Sequence, residues 1–171
     1  MKKIYVECGK IIGAHGVKGT VKVEPWCDSP KVLSAQKRVF LADGDGYRET
    51  EVESASVSGD TVLMKLAALN DREESQAMKG VTLYLHRDDI PRKKGALLLV
   101  DIIGLPAIDI DTGRTLGTVI DITESVASSL YVIETEDKEQ VLIPGINEFI
   151  KEIKEDEGVF IRTIPGFFKE V

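Results

Sequence analysis

A chain of 171 residues makes one large domain or two small ones at about 150 residues per domain, and 43% apolar with 30% charged residues is a globular balance. The formal charge of −7 is unlike that of a free-standing nucleic-acid binder, because an acidic surface repels phosphate and attracts basic partners. The longest apolar run, Ala96 to Val100, is far too short for a bilayer, and Glu7 interrupts any leader-like apolar stretch. A cytoplasmic protein with reduced Cys8 and Cys27 and no membrane contact is therefore expected.

The first half alternates as strands do. Ile4, Val6 and Cys8 fall on one face, and Ile12 continues that parity. Val21, Val23 and Pro25 alternate with Thr20, Lys22 and Glu24. Between these runs lies Gly13-Ala14-His15-Gly16-Val17-Lys18-Gly19, whose glycines mark a tight connection with positive φ. If the flanking strands pair, Cys8 and Cys27 come near each other. Residues 28–33 read as a turn in which Pro30 opens one turn of helix. Residues 38–42, 49–57 and 61–66 read as strands, divided by the turns Asp43-Gly44-Asp45-Gly46 and Ser58-Gly59-Asp60. A helix follows. Asn70 or Asp71 caps it, Glu73 and Glu74 sit at its positive end, and Lys79-Gly80 closes it. Residues 81–86 form another strand. Five or six strands with one helix suit a small barrel.

Asp88-Asp89-Ile90-Pro91-Arg92-Lys93-Lys94-Gly95 reads as a linker, and the charge balance changes there. Residues 1–92 carry 14 Lys and Arg against 14 Asp and Glu, a net of zero; residues 93–171 carry 8 against 15, a net of −7. The expected domains are 1–92 and 93–171, with a linker at about 88–97. In the second half, residues 102–110 form a run broken by Pro106, with turns at 111–114 and 136–139. Residues 116–122, 130–135 and 140–143 read as strands, as do 149–154 and 159–164, which flank the turn 155–158. Periodicity leaves 149–154 open between strand and helical turn; the hairpin turn that follows favours a strand. The halves show no repeat.

Few constellations carry chemistry. Met1 to Lys22 holds five lysines against one Glu. A glycine-rich loop beside lysines can bring backbone N–H groups and ammoniums to phosphate, although a plain hairpin with solvated lysines has the same pattern. The spacing is not that of a P-loop. Cys8, Cys27, His15 and His86 match no zinc spacing, and two histidines without GxSxG argue against a hydrolytic triad. No catalytic residue, metal or cofactor is expected. Leu97-Leu98-Leu99-Val100 is either an ordinary buried strand or an interdomain wedge, and Phe167-Phe168 a lid over a barrel end or a domain interface. The residues by themselves support a binding module and name no ligand.

Four blocks in order resemble a known family. They are Gly9-Lys10-Ile11-Ile12-Gly13-Ala14-His15-Gly16-Val17-Lys18-Gly19-Thr20-Val21-Lys22-Val23; Leu69-Asn70-Asp71-Arg72-Glu73-Glu74-Ser75 with Lys79-Gly80-Val81-Thr82-Leu83; Asp101-Ile102-Ile103-Gly104-Leu105 with Leu116-Gly117-Thr118-Val119; and Val141-Leu142-Ile143-Pro144 with Pro165-Gly166. Together they resemble the ribosome maturation factor RimM family, the small-subunit 16S rRNA processing proteins. The resemblance implies a mainly β, all-β fold: an N-terminal translation-factor-like barrel with one short helix and a C-terminal PRC-type barrel. It implies an assembly factor, not an enzyme, acting as a monomer. Its partners would be the immature small (30S) subunit, 16S rRNA of the head region and the nineteenth small-subunit ribosomal protein.

On that basis Lys10, His15, Gly16, Lys18, Gly19 and Lys22 are the candidate RNA contacts, and Leu97, Leu98, Leu99 and Asp101 the candidate protein-partner or interdomain residues. The family pattern places a Tyr-Tyr-Trp-like aromatic group before the third block. Leu97-Leu98-Leu99 stands there in this chain, so no stacking role is expected. The rival readings are a small β-barrel enzyme with a site between the barrels and a PRC-barrel interaction module.

Overall fold

The computed structural model of the protein describes residues 2–92 and 96–168. The chain divides into two compact units, Met1–Arg92 and Lys93–Val171. Lys93, Lys94 and Gly95 of the expected linker lie outside the described residues.

The first unit is a closed barrel of six strands in the order β1-β2-β5-β4-β3-β6. They are β1 (Tyr5–His15), β2 (Thr20–Pro25), β3 (Arg38–Asp43), β4 (Gly46–Ser58), β5 (Thr61–Leu66) and β6 (Thr82–His86). Alternate residues point inward, as the pleat requires. Val21 and Val23, Val39 and Leu41, Val62 with Met64 and Leu66, and Leu83 with Leu85 form one buried cluster. Helix α1 (Pro30–Ser34) buries Leu33 in it. Pro30 opens this helix, with Ser29 as its cap.

β1 departs from simple alternation. Its register slips between Glu7 and Gly9 against β6, and between Ile11 and Gly13 against β2. Each slip reverses the faces that follow, so Ile11 is buried and Ile12 is exposed. The expectation that Ile12 shares an inward parity with Cys8 is corrected by this bulge. Gly9 permits close packing here: a Cβ would lie 2.7 Å from the Glu24 carbonyl oxygen. β4 also begins earlier than expected. Asp43 pairs directly with Gly46, so only Gly44 and Asp45 form the turn, and Tyr47 and Arg48 join the strand.

The second unit is a six-stranded sheet in the order β10-β9-β8-β7-β12-β11. The strands are β7 (Pro106–Asp109), β8 (Thr115–Glu124), β9 (Ser129–Glu134), β10 (Gln140–Pro144), β11 (Ile150–Lys154) and β12 (Gly158–Ile161). β12 returns parallel to β7; the other pairs are antiparallel. Ile102, Ala107, Val119, Tyr131, Ile133, Ile143, Val159 and Ile161 make its core, against which Phe149, Phe167 and Phe168 pack.

Residues 97–100 are not a buried strand, and the run 102–110 is strand only from Pro106. The segment Leu99–Ile102 is a one-turn helix, closed by the Ile103 amide donating to the Leu99 carbonyl at 3.2 Å. A short apolar run does not declare its period, and burial of Ile102 and Leu97 in the core is satisfied by a helical turn as well as by a strand.

Candidate functional site

The glycine-rich segment is the β1–β2 hairpin. His15 pairs with Thr20, and Gly16-Val17-Lys18-Gly19 forms the turn. Gly16 and Gly19 have φ of +66° and +84°, the left-handed region that glycine enters without strain. Gly19 is constrained twice, since a Cβ there would lie 2.3 Å from the Leu69 carbonyl oxygen. The hairpin therefore rests directly on the loop that precedes α2 (Arg72–Ala77).

That loop and helix are built to receive it. The Asp71 carboxylate caps α2 by accepting from the Glu74 amide at 2.9 Å, and Glu74 reaches back to accept from the Asn70 amide at 2.7 Å. Lys65 donates to the carbonyl oxygen of Leu66 at 2.9 Å and to that of Leu69. Two residues one helical turn apart then hold the hairpin backbone. Arg72 Nη1 donates to the Gly16 carbonyl at 3.1 Å, and Gln76 Oε1 accepts from the Ala14 amide at 3.2 Å. Arg72, Gln76 and Lys65 were absent from the expected site; the signal that could have found them is the i, i+4 spacing of Arg72 and Gln76 on one helix face.

The structure brings His15, Lys18 and Lys22 to this end of the barrel, all exposed or half-buried at most. Among the described residues none of them enters an ion pair. Lys10 lies five residues further down β1, exposed and opposite Glu24 in the ladder. Gly16 and Gly19 shape the turn, and Gly19 is buried.

The second group of candidates divides. Leu97 packs against the core of the second unit, Leu98 is half-buried at the start of the one-turn helix Leu99–Ile102, and Leu99 is exposed. Ile103, four residues on, is exposed as well. Asp101 lies within that single helical turn.

The two histidines are far apart. His15 closes the hairpin, whereas His86 pairs with Tyr5 at the other end of β1. Among the described residues, no three His, Cys, Asp or Glu side chains gather as a metal site. Cys8 and Cys27 are adjacent free thiols: Cys27 Sγ lies 3.5 Å from the Cys8 carbonyl oxygen. Burial pushes both thiols up, Cys27 to about 11 with help from the Asp28 charge and Cys8 further, with help from Cys27.

Comparison with known proteins covers both units. The RimM N-terminal domain matches residues 6–90 and the RimM PRC barrel domain residues 99–168. The ribosome maturation factor RimM of Symbiobacterium thermophilum is 31% identical over 168 residues, covering 96% of this chain and 95% of its own. That of Caldicellulosiruptor bescii is 30% identical, covering 95% of this chain and 96% of its own. Among solved structures, a 16S ribosomal RNA processing protein RimM from Pseudomonas aeruginosa aligns over 95% of this chain and 99% of its own, at 24% identity and a TM-score of 0.47. With both domain models matched in order and relatives similar along nearly the whole length, the chain belongs to the RimM family.

Proposed function

We propose that the protein is a ribosome maturation factor that acts by binding the immature small subunit, without making or breaking a bond. The relatives named above are ribosome maturation factors, and the observation that carries the mode of action is the held hairpin. Lys18 lies in the turn, with His15 and Lys22 on the strands that flank it, and Arg72, Gln76 and the Leu69–Asn70 peptide fix the hairpin in place. A preorganised basic tip loses little freedom on meeting a phosphate backbone. In this reading the tip contacts 16S rRNA of the subunit head.

The second unit takes the protein partner. Its sequence half carries all of the surplus negative charge, 8 basic against 15 acidic residues, and ribosomal proteins such as the nineteenth of the small subunit are basic. Complementary charge of this kind steers association and sets orientation. Leu99 and Ile103 supply exposed apolar area beside it. Assistance then needs only a higher affinity for the immature than for the mature subunit.

The test is cosedimentation with immature and mature small subunits across a salt series. Binding to immature subunits alone is expected. The combined substitution of Lys10, Lys18 and Lys22 by Ala should weaken it and flatten its salt dependence by roughly one unit of slope for each phosphate no longer neutralised. Equal binding to both subunits, or an unchanged slope, overturns the reading.

A further inference from the structure

The outer face of the first barrel carries a plate of rings that its core does not use. Tyr5 of β1, Phe40 of β3, Tyr47 of β4, and Tyr84 and His86 of β6 all point outward. Tyr5 lies opposite His86, and Tyr84 opposite both Phe40 and Glu7. Tyr5 stacks on Tyr47 with centroids 4.2 Å apart and 25° between planes. Phe40 lies 4.9 Å from Tyr5, and Tyr84 lies 4.9 Å from Tyr47. Phe40 is only 5% exposed although its neighbours Val39 and Leu41 face the barrel core. The plate covers it from outside, while Tyr47 stays 41% exposed. Three of the four tyrosines of the chain are here, and half-exposed tyrosines are over-represented where proteins bind other proteins.

The charges around the rings select the partner. Arg38 donates to both oxygens of Asp89, at 2.8 and 3.1 Å, and to Glu49 at 3.1 Å, with its guanidinium 5.4 Å from the centre of the Phe40 ring. One cation is thus shared between two carboxylates and an aromatic face. The exposed part of the plate offers rings and a carboxylate as well. Tyr47 and Tyr5 supply the rings and Glu7 the carboxylate, and Glu7 enters no ion pair among the described residues. Glu7 lies opposite Tyr84 in the ladder, two residues from Tyr5 on the same strand, and its charge, after burial, resists the ionisation of Tyr84.

We propose that this plate docks a basic protein segment, one arginine of which lies against Tyr47 and Tyr5 with its guanidinium directed to Glu7. A nucleic acid fits less well, because Glu7 and Glu49 are exposed on this face and Arg38 is already bound to Glu49 and Asp89. The surface is separate from the basic hairpin. The 11 residues of β1 run from Tyr5 of the plate to His15 of the hairpin, roughly 30 Å at about 3.3 Å per residue, so the inference goes beyond the rRNA contact assigned to the hairpin.

The full-length protein is titrated with a capped hexa-arginine peptide, a capped hexaglutamate peptide and a twelve-nucleotide oligouridylate, following the tyrosine ring resonances by NMR. The arginine peptide is expected to shift the Tyr5, Tyr47 and Tyr84 signals saturably, and the other two probes to leave them in place. Tyr47→Ala should weaken that response at least about fivefold and Glu7→Gln about threefold. Tyr47→Phe, which keeps the ring, should retain it, and Glu136→Gln in the second unit should not change it. Ring signals that ignore the arginine peptide, that follow the oligouridylate instead, or that respond equally in Tyr47→Ala overturn the proposal. Each of these leaves cosedimentation, which reads the hairpin, standing or falling by itself.

Discussion

The guanidinium of Arg72 donates to the carbonyl oxygen of Gly16 at 3.1 Å, across 56 residues of chain. One helical turn further on, Gln76 takes the amide of Ala14. The two blocks that mark the first unit at the level of sequence, the glycine-rich segment and the residues after Leu69, are therefore one object in space. The second block exists to hold the first.

Replacing Arg72 by Ala removes that bond while leaving the turn glycines in place. Global stability is expected to fall by about 1 kcal/mol, the net worth of a single hydrogen bond. Amide hydrogen exchange at Val17 and Lys18 should speed up, while exchange in β5 stays unchanged. Subunit binding should weaken although every lysine remains. Unaltered exchange in the turn would show that the hairpin holds itself.

The two left-handed glycines make a controlled comparison. At Gly16 a Cβ meets nothing within 4 Å, so Gly16→Ala should cost only the conformational strain, about 1 kcal/mol. At Gly19 it would also lie 2.3 Å from the Leu69 carbonyl oxygen, and the loop must move. Gly19→Ala is expected to cost about 3 kcal/mol or more. Urea midpoints measured side by side test this; equal effects at the two positions would remove the close approach as a cause.

Asp89 links pH to stability. The hydrogen bond from Arg38 holds its carboxyl below the ordinary range, against the opposing effect of burial and with smaller help from the charges of Arg38 and His86. A carboxyl lowered in the folded state contributes stability that is complete above its unfolded value, about 3.9. That contribution is lost as pH falls through the folded value. Asp89→Asn should therefore lower the urea midpoint at pH 7 and reduce its decline below about pH 4. A variant with the parent's full acid dependence would contradict this.

The thiols should be unreactive in the folded protein. Cys27 is pushed up to about 11 and Cys8 is buried with its thiol donating to the Leu83 carbonyl at 3.2 Å. At pH 8 little thiolate is present at either. Iodoacetamide is expected to label Cys27 slowly and Cys8 not at all until urea unfolds the barrel, as read by intact mass. Rapid double labelling of the folded chain would refute the burial argument.

Much of this was legible from residues alone, because it depends on local geometry. The hairpin turn at Gly16 and Gly19 follows from glycine's access to positive φ, the cap at Asp71 from a side chain that can reach orphan amides, and the strands at Thr61–Leu66 and Thr82–His86 from a period of two. The order of the four sequence blocks carried the family. What tertiary structure alone decided lies in registers and long-range pairings. Ile11 rather than Ile12 faces the core because β1 bulges against two different neighbours, and nothing in a single strand announces a slip set by its partners. The segment Leu99–Ile102 is helical because the core of the second unit accepts Ile102 from a turn, a choice that a short apolar run leaves open. The aromatic plate draws on strands from both ends of the first unit's sequence, and it forms only once β6 has closed the barrel between β1 and β3. The hold of Arg72 on Gly16 belongs with these. The sequence determined a basic glycine turn and a capped helix, and only the closure of the barrel brought the arginine within hydrogen-bonding distance of the turn.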